Sequence, residues 1–452
     1  MTYSNCALAR ELIHPFKQPS LVAVTEAPNS MTAVNVYARI KPTVTDKWPS
    51  VHPTDEGVLV CGIKEETVLD GFGGIVVGSD QAEVYDAIAA PLVDRLLEGY
   101  SCALMAYGQT GSGKTHTIFG PPGALTEAAL LESDGYGGAD TAPAEWGLFP
   151  RIALELLASG KGTLHASAVE VYQEKAFDLL ADRQHLAVGA QKAGRQVAGA
   201  KRDANEAAPH KSTCVCRSCY MAKEEEKKAR AAGTFKPKPK AARQSFAELS
   251  AGRVNSASAK SVGPAAKAGA TEESFATIGE ARMLLTEPAD VARLARTIEL
   301  TRTAVGHLLN ARSSRSHCLV HLHLTEQEGD SIIKRHLLFV DLAGSERILR
   351  SGAEGVAAAQ AVAINSSLTA LGKVVRAVGQ RQTHVPYRDS TLTQLLRSSL
   401  SGRSCTSVVV AVASDAVHTE ESKCSLEFGQ RMGAVRTKAA IVVGTDAREE
   451  EP

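Results

Sequence analysis

Residues 102–115 read CALMAYGQTGSGKT: a six-residue apolar run, a glycine-rich turn, then a lysine and a threonine. Cys102–Tyr107 carries almost no polar side chain, the pattern of a strand covered on both faces. The next eight residues, Gly108, Gln109, Thr110, Gly111, Ser112, Gly113, Lys114 and Thr115, satisfy GxxxxGK[ST], and His116 enters a helix-compatible stretch. Strand, glycine loop and helix in this order make a phosphate cradle. Glycines let backbone N–H groups turn inward onto phosphate oxygens, and the helix N-terminus adds positive potential. Lys114 is then placed for β- and γ-phosphates, and the Thr115 hydroxyl for Mg2+.

Further along, the apolar run Leu337–Val340 ends in Asp341-Leu342-Ala343-Gly344-Ser345-Glu346. An Asp leaving a strand's carboxyl end is a Walker-B type Mg2+ partner, and Gly344 offers a backbone N–H to a γ-phosphate. Asn310-Ala311-Arg312-Ser313-Ser314-Arg315-Ser316-His317 adds hydroxyls and an arginine before another strand, although by itself it reads as a solvated loop.

The remaining pattern alternates strands and helices. Val36–Ile40 reads as a strand stopped by Pro42, and residues 81–99 as a helix closed by Gly99. Residues 169–180 enter a turn from a strand, and 289–309 are helical in period. Leu319–Leu324 and Ile332–Val340 read as strands, and helices follow at 356–378, 389–400 and 419–436. This is an α/β pattern, with a central, mostly parallel-type sheet, helices on both faces and ligands at the carboxyl ends of the strands.

Of 452 residues, 44% are hydrophobic and 22% charged, as in an ordinary folded domain with a sizeable core. Fifty basic residues balance fifty acidic ones, which excludes a strongly basic nucleic-acid binder as judged from the total. The balance is uneven: residues 181–270 hold 18 Lys/Arg against 7 Asp/Glu. Residues 181–272 are rich in Ala, Gly, Lys and Ser, and from 183 onward the only aromatics are Tyr220, Phe235 and Phe246. Such a stretch buries too little apolar surface to offset its ordering entropy, so it reads as a low-complexity basic insertion within one domain of residues 35–437. Residues 1–34 read as a loosely ordered arm and 438–452 as a short tail.

No apolar run approaches the roughly 20 residues of a membrane span, so no membrane partner is expected. Nine cysteines, an odd number unevenly spaced, read as reduced thiols of a cytoplasmic protein. Within the insertion, His210, Cys214, Cys216 and Cys219 are soft ligands. Their C-x-C-x-x-C spacing is not that of a standard finger, so free thiols are the default and zinc the alternative. His14, His165 and the pair His321 and His323 read as facing solvent or neighbours rather than a ligand.

GQTGSGKTHT, NARSSRSH and DLAGSER together resemble the P-loop, switch I and switch II of the kinesin motor domain, a P-loop NTPase. The resemblance extends through YARIKP (37–42), EVYQEKAFDLL (170–180), INSSLTALGKVV (364–375), HVPYRDSTLTQLL (384–396) and SLEFGQRM (425–432). It implies ATP and Mg2+ as ligands, microtubules as partner, and location in the cytoplasm and cytoskeleton. The ending RMGAVRTKAAIVVG resembles ciliary kinesins and adds the cilium or flagellum. By resemblance Arg39, Lys41, Pro42 and His116 flank the adenine. Ser314 joins Thr115 and Asp341 at Mg2+, Ser313 holds the attacking water, and Arg315 pairs with Glu346 to close the switches around the phosphate.

Three departures stand out. In the segment that usually contacts the microtubule, the family's Lys and Arg are Thr391 and Gln394, while Arg388 stays. Gln360 replaces the usual Glu in the helix after switch II. The basic insertion occupies the loop after EVYQEKAFDLL, where it reads either as a cationic tether for acidic tubulin tails or as a passive insertion. The implied function is a microtubule-stimulated ATPase that moves along its track; a non-translocating, nucleotide-regulated microtubule-binding protein is the alternative. With only residues 437–452 after Arg436, no neck coiled coil is expected and the chain reads as a monomer.

Overall fold

Val36, Ile40 and their neighbours form strand β1 (Asn35–Lys41), which stops where Pro42 withdraws a backbone donor. The computed structural model describes residues 32–43, 49–62, 65–78, 80–133, 138–191, 274–304, 315–328, 331–346 and 356–437, with 439, 443 and 444. Its principal sheet continues with β2 (Gly74–Val77), β3 (Cys102–Tyr107), β4 (Thr163–Tyr172), β5 (Lys175–Asp178) and β6 (His185–Gln191). It is completed by β7 (Ser274–Ile278), β8 (His317–Glu328), β9 (Ser331–Asp341) and β10 (Cys405–Ala413). The strand order is β7-β6-β5-β4-β8-β9-β3-β10-β1-β2.

From β9 to β2 every neighbour is parallel. From β9 back to β7 every neighbour is antiparallel. The α/β expectation holds, but a mostly parallel sheet describes only the first half; the whole is mixed. The reason is local: β8 and β9 pair from Glu328 opposite Ser331, and so short a link makes a hairpin where a parallel crossover would need a helix.

Side chains alternate across β3. Cys102, Leu104 and Ala106 enter one core with Leu337 and Phe339 of β9, and Ala103 and Met105 enter the other with Leu338 and Val340. All five β3 residues are at most 2% exposed. The first core is covered by α1 (Gln81–Val84), α2 (Ala90–Leu97), α3 (Lys114–Ile118), α4 (Glu127–Glu132), α5 (Leu148–Ala158) and α6 (Pro288–Ala304). The second lies under α7 (Val356–Gly379), α8 (Thr391–Leu395), α9 (Arg397–Leu400) and α10 (Thr419–Gly433).

Several expectations are corrected. The helix over 81–99 is split by a π-helical turn, Tyr85–Ala89, just ahead of Pro91, which has no N–H for a regular helical bond. The helix over 389–400 is broken into short pieces. Finally, β6 lies inside the stretch read as insertion: Ala187–Gln191 pair with Ile278–Ser274, a partner that composition cannot reveal. Beyond β6, residues 192–273 lie outside the described residues, and the cluster at His210–Cys219 with them. Thr32–Ala33 pairs with Arg436–Thr437, and Val443–Gly444 with β9, so parts of the supposed arm and tail join strands. Among the described residues no helix is long and apolar enough to cross a membrane.

Candidate functional site

β3 and β9 lie side by side with Asp341 opposite Ala106, so both deliver their carboxyl ends to the same edge of the sheet. The glycine loop leaves β3 there. Gly108 has φ +150°, and a Cβ on it would stand 2.1 Å from the Ala411 carbonyl oxygen of β10. Gly113 (φ +103°) is the left-handed residue that opens α3. Only glycine meets both demands.

Lys114 is buried, and its ammonium donates to the Gln109 carbonyl at 2.7 Å. Burial lowers its pKa, an effect partly offset by Asp341 and Glu346. The Ser112 hydroxyl donates to the same carbonyl at 2.8 Å. Thr115 Oγ1 donates to Asp341 Oδ2 at 2.9 Å, and Arg302 Nη1 donates to that oxygen at 3.0 Å. Asp341 Oδ1 is buried with no hydrogen-bond partner among the described residues. An orphaned carboxylate oxygen beside a threonine hydroxyl is a hard-oxygen donor pair, so Thr115 and Asp341 fit Mg2+. Ser313 and Ser314 lie outside the described residues.

Glu346 reaches back to the glycine loop. Its Oε2 accepts the Thr110 N–H at 2.8 Å and its Oε1 accepts the Thr110 hydroxyl. Gly344 makes room for this, since a Cβ there would lie 2.3 Å from both Glu346 Oε2 and Thr110 Oγ1. The bonds described for Glu346 are these two to Thr110. The loop after β9 is thus latched to the phosphate loop.

Of the residues expected around the adenine, Arg39 is buried and committed to structure. Its Nη1 donates to Gln81 Oε1 at 3.0 Å and to Thr117 Oγ1 at 2.9 Å, and burial pulls its pKa down to about 10. Gln81 in turn donates to the His116 carbonyl at 2.6 Å and lies 3.1 Å from His116 Nδ1. Lys41 and Pro42 are exposed, and Lys41 Nζ donates to the Gly111 carbonyl at 3.2 Å. Arg39, Lys41 and His116 are therefore brought together beside the loop, with Gln81 as the joint that sequence reasoning missed.

Two other residues were missed. Arg302 continues the buried stripe Val291, Leu294, Ala295 and Ile298 of α6, and a charge on such a stripe signals a buried partner. His317 accepts the Ala343 N–H at Nδ1 (3.1 Å), which leaves Nε2 protonated to donate to Ser367 Oγ (2.9 Å). It ties the loop after β9 to α7. Burial, then the charges of Arg302 and Lys114, push its pKa down to about 3.

Comparison with known proteins agrees with this geometry. The family model "Kinesin motor domain" matches residues 72–225 and 267–435. Kinesin-like protein KIN-5C of Arabidopsis thaliana is 33% identical over 374 residues, covering 80% of this chain and 29% of that protein. Kinesin-like protein KIN-4C of Arabidopsis thaliana is 29% identical over 443 residues, covering 90% and 28%. The chain thus spans less than a third of the length of these relatives. Among solved structures, that of a fast kinesin superposes with TM-score 0.65 at 23% identity, covering 92% of this chain and 96% of that one. A KIF14 dimer, in the two-heads-bound state with AMP-PNP and a microtubule, gives TM-score 0.61 at 24% identity, covering 91% and 96%.

Proposed function

The chain belongs to the kinesin motor domain family, and from that premise we propose that it is a microtubule-stimulated ATPase that converts γ-phosphate release into movement along microtubules. The observation that carries the proposal is the double crossing between loops from neighbouring parallel strands: Thr115 on Asp341, and Thr110 on Glu346.

ATP binds with its phosphates against the inward N–H groups of Gly108–Thr115. Lys114 exchanges the Gln109 carbonyl for the β- and γ-phosphates, gaining a charge-assisted contact. Thr115 and Asp341, with Ser314, would hold Mg2+, which when bound would neutralise phosphate charge. Gly344 approaches the γ-phosphate through its backbone, while Glu346 leaves Thr110 for Arg315 as the switches close and order the attacking water held by Ser313. Catalysis is positioning and charge stabilisation, without a covalent protein intermediate. His317 carries the movement of Ala343 to Ser367 of α7, the helix after switch II.

The partner is tubulin, which places the chain on the microtubule cytoskeleton. Thr391 has become structural: its N–H and hydroxyl bond Glu174 in the β4–β5 turn. Residues 192–273 leave and return at the paired residues Gln191 and Ser274. Phe275, next in the chain, packs under the guanidinium groups of Arg388 (5.7 Å) and Arg397 (5.6 Å). The described residue Phe275, close to the point where the insertion joins β7, thus lies beside the segment that carries Thr391 and Gln394, which supports the tether reading.

The test is ATP turnover with and without microtubules, coupled to filament gliding on the immobilised chain. Stimulated turnover with gliding is expected. Turnover indifferent to microtubules refutes the motor reading, and filaments that bind but stand still refute movement.

A further inference from the structure

On β8, His321 and His323 are two residues apart and so share one face of the sheet. Glu280, on the short segment between β7 and Met283–Leu285, comes over that face. One ligand atom from each of the three residues lies within 4.8 Å of the others. His323 Nε2 stands 3.9 Å from Glu280 Oε1, and the two imidazole rings are 5.6 Å apart.

We propose that Glu280, His321 and His323 form a binding site for a divalent transition metal of the zinc class.

Three features distinguish the cluster from a chance meeting of polar groups. First, His321 Nδ1 is buried and has no hydrogen-bond partner among the described residues. A buried imidazole nitrogen left bare is costly, and a metal ion satisfies it. Second, the carboxylate is already oriented. Thr277 Oγ1 donates to Glu280 Oε2, and Ser167 Oγ, between the ligands, lies 3.1 Å from Oε1 and 3.3 Å from His323 Nε2. Outer hydrogen bonds of this kind aim the ligands of metal sites. Third, the donor set of two imidazoles and one carboxylate is that of zinc with an open fourth position for water. Burial lowers the pKa of both imidazoles, so they stay neutral as metal ligands must.

The neighbouring charges agree with this assignment. Arg282 approaches Glu280 only to 3.9 Å and is 55% exposed, free to swing to solvent when a cation arrives. His165 and His336 stand opposite His323 on the flanking strands. His336 is engaged by Ser101 at 3.1 Å, which leaves it out of the ligand set. Ion binding would tie the segment just after β7 to β8, fastening the chain where it returns to the sheet. The proposal is independent of the nucleotide site.

Because Cys214, Cys216 and Cys219 offer a competing set, the test uses the full chain with all three replaced by Ser. Titration with Co2+ should give one equivalent with visible d–d bands and no intense thiolate charge-transfer band, and Zn2+ should displace it. Glu280→Gln and His323→Gln should each remove that binding, and Thr277→Val should weaken it about 10–100-fold. Zn2+ should raise the melting temperature of the Cys-to-Ser chain but not of its Glu280→Gln variant. ATP binding by each variant reports that it is folded; if His323→Gln fails that check, the isosteric Glu280→Gln decides. A Cys-to-Ser chain that binds neither ion, or binding untouched by Glu280→Gln, overturns the proposal.

Discussion

Arg302 on α6 and Asp341 at the end of β9 form an ion pair at 3.0 Å, with only 8% and 1% of their side chains exposed. A buried pair of this kind contributes less to net stability than its geometry suggests, because both charges were desolvated to make it. Breaking it is another matter. Arg302→Met leaves a buried carboxylate without its counter-charge and should destabilise the fold by about 3–5 kcal/mol. Adding Asp341→Asn should recover most of that loss. Denaturant midpoints check both; an Arg302→Met chain as stable as its parent would sink the assignment.

Lys114→Ala should weaken nucleotide binding about 100-fold or more, since the one ammonium buried within the loop is lost. The fold should survive, because the group's only described bond is to the Gln109 carbonyl of its own loop. Calorimetric titration with ATP provides the measurement.

Glu346→Ala should leave ATP affinity near that of the parent and slow hydrolysis in a single turnover by about 100-fold. The two bonds to Thr110 are also lost, so the loop after β9 should become more mobile before nucleotide arrives. Unchanged single-turnover hydrolysis would remove Glu346 from the mechanism.

His317 is one of the buried imidazoles that make stability fall in acid. Its native pKa, near 3, lies below the unfolded value near 6.5, so the unfolded chain takes up the proton first. The stabilisation is fully present above about pH 6.5 and declines by about 1.4 kcal/mol per pH unit as pH falls toward 3. In His317→Gln the slope of stability between pH 6 and pH 4 should be shallower by about one proton's worth. Urea unfolding at a series of pH values reads that slope directly.

Deleting residues 192–273, with a short Gly-Ser link from Gln191 to Ser274, should weaken microtubule affinity more at low salt than at high salt. Exposed ionic contacts are worth about 0.2–1 kcal/mol each, so a few of them move affinity about tenfold. Basal ATP turnover should be unchanged, because every site residue named above lies elsewhere in the chain. Affinity and salt dependence equal to the parent's would make the insertion passive.

What the sequence determined by itself was whatever depends on neighbours along the chain. Cys102–Tyr107 had to be a strand covered on both faces, and Gly108–Thr115 had to curl into a cradle, because apolar runs and glycines act on the backbone where they stand. The helices read over 289–309, 356–378 and 419–436 follow from their period in the same way, although the last stops at Gly433. Composition misplaced the edge of the insertion because β6 owes its strand to pairing with β7, which returns only after residue 273. Only the tertiary structure decided which distant side chains meet. Arg302 lands on Asp341, Glu346 on Thr110 and Glu280 on His323 because the register of β3, β4, β8 and β9 sets those distances. A buried charge or imidazole takes whatever partner that register brings to it, and no local pattern specifies the register of β3 against β9 or of β4 against β8, which lie far apart in the chain.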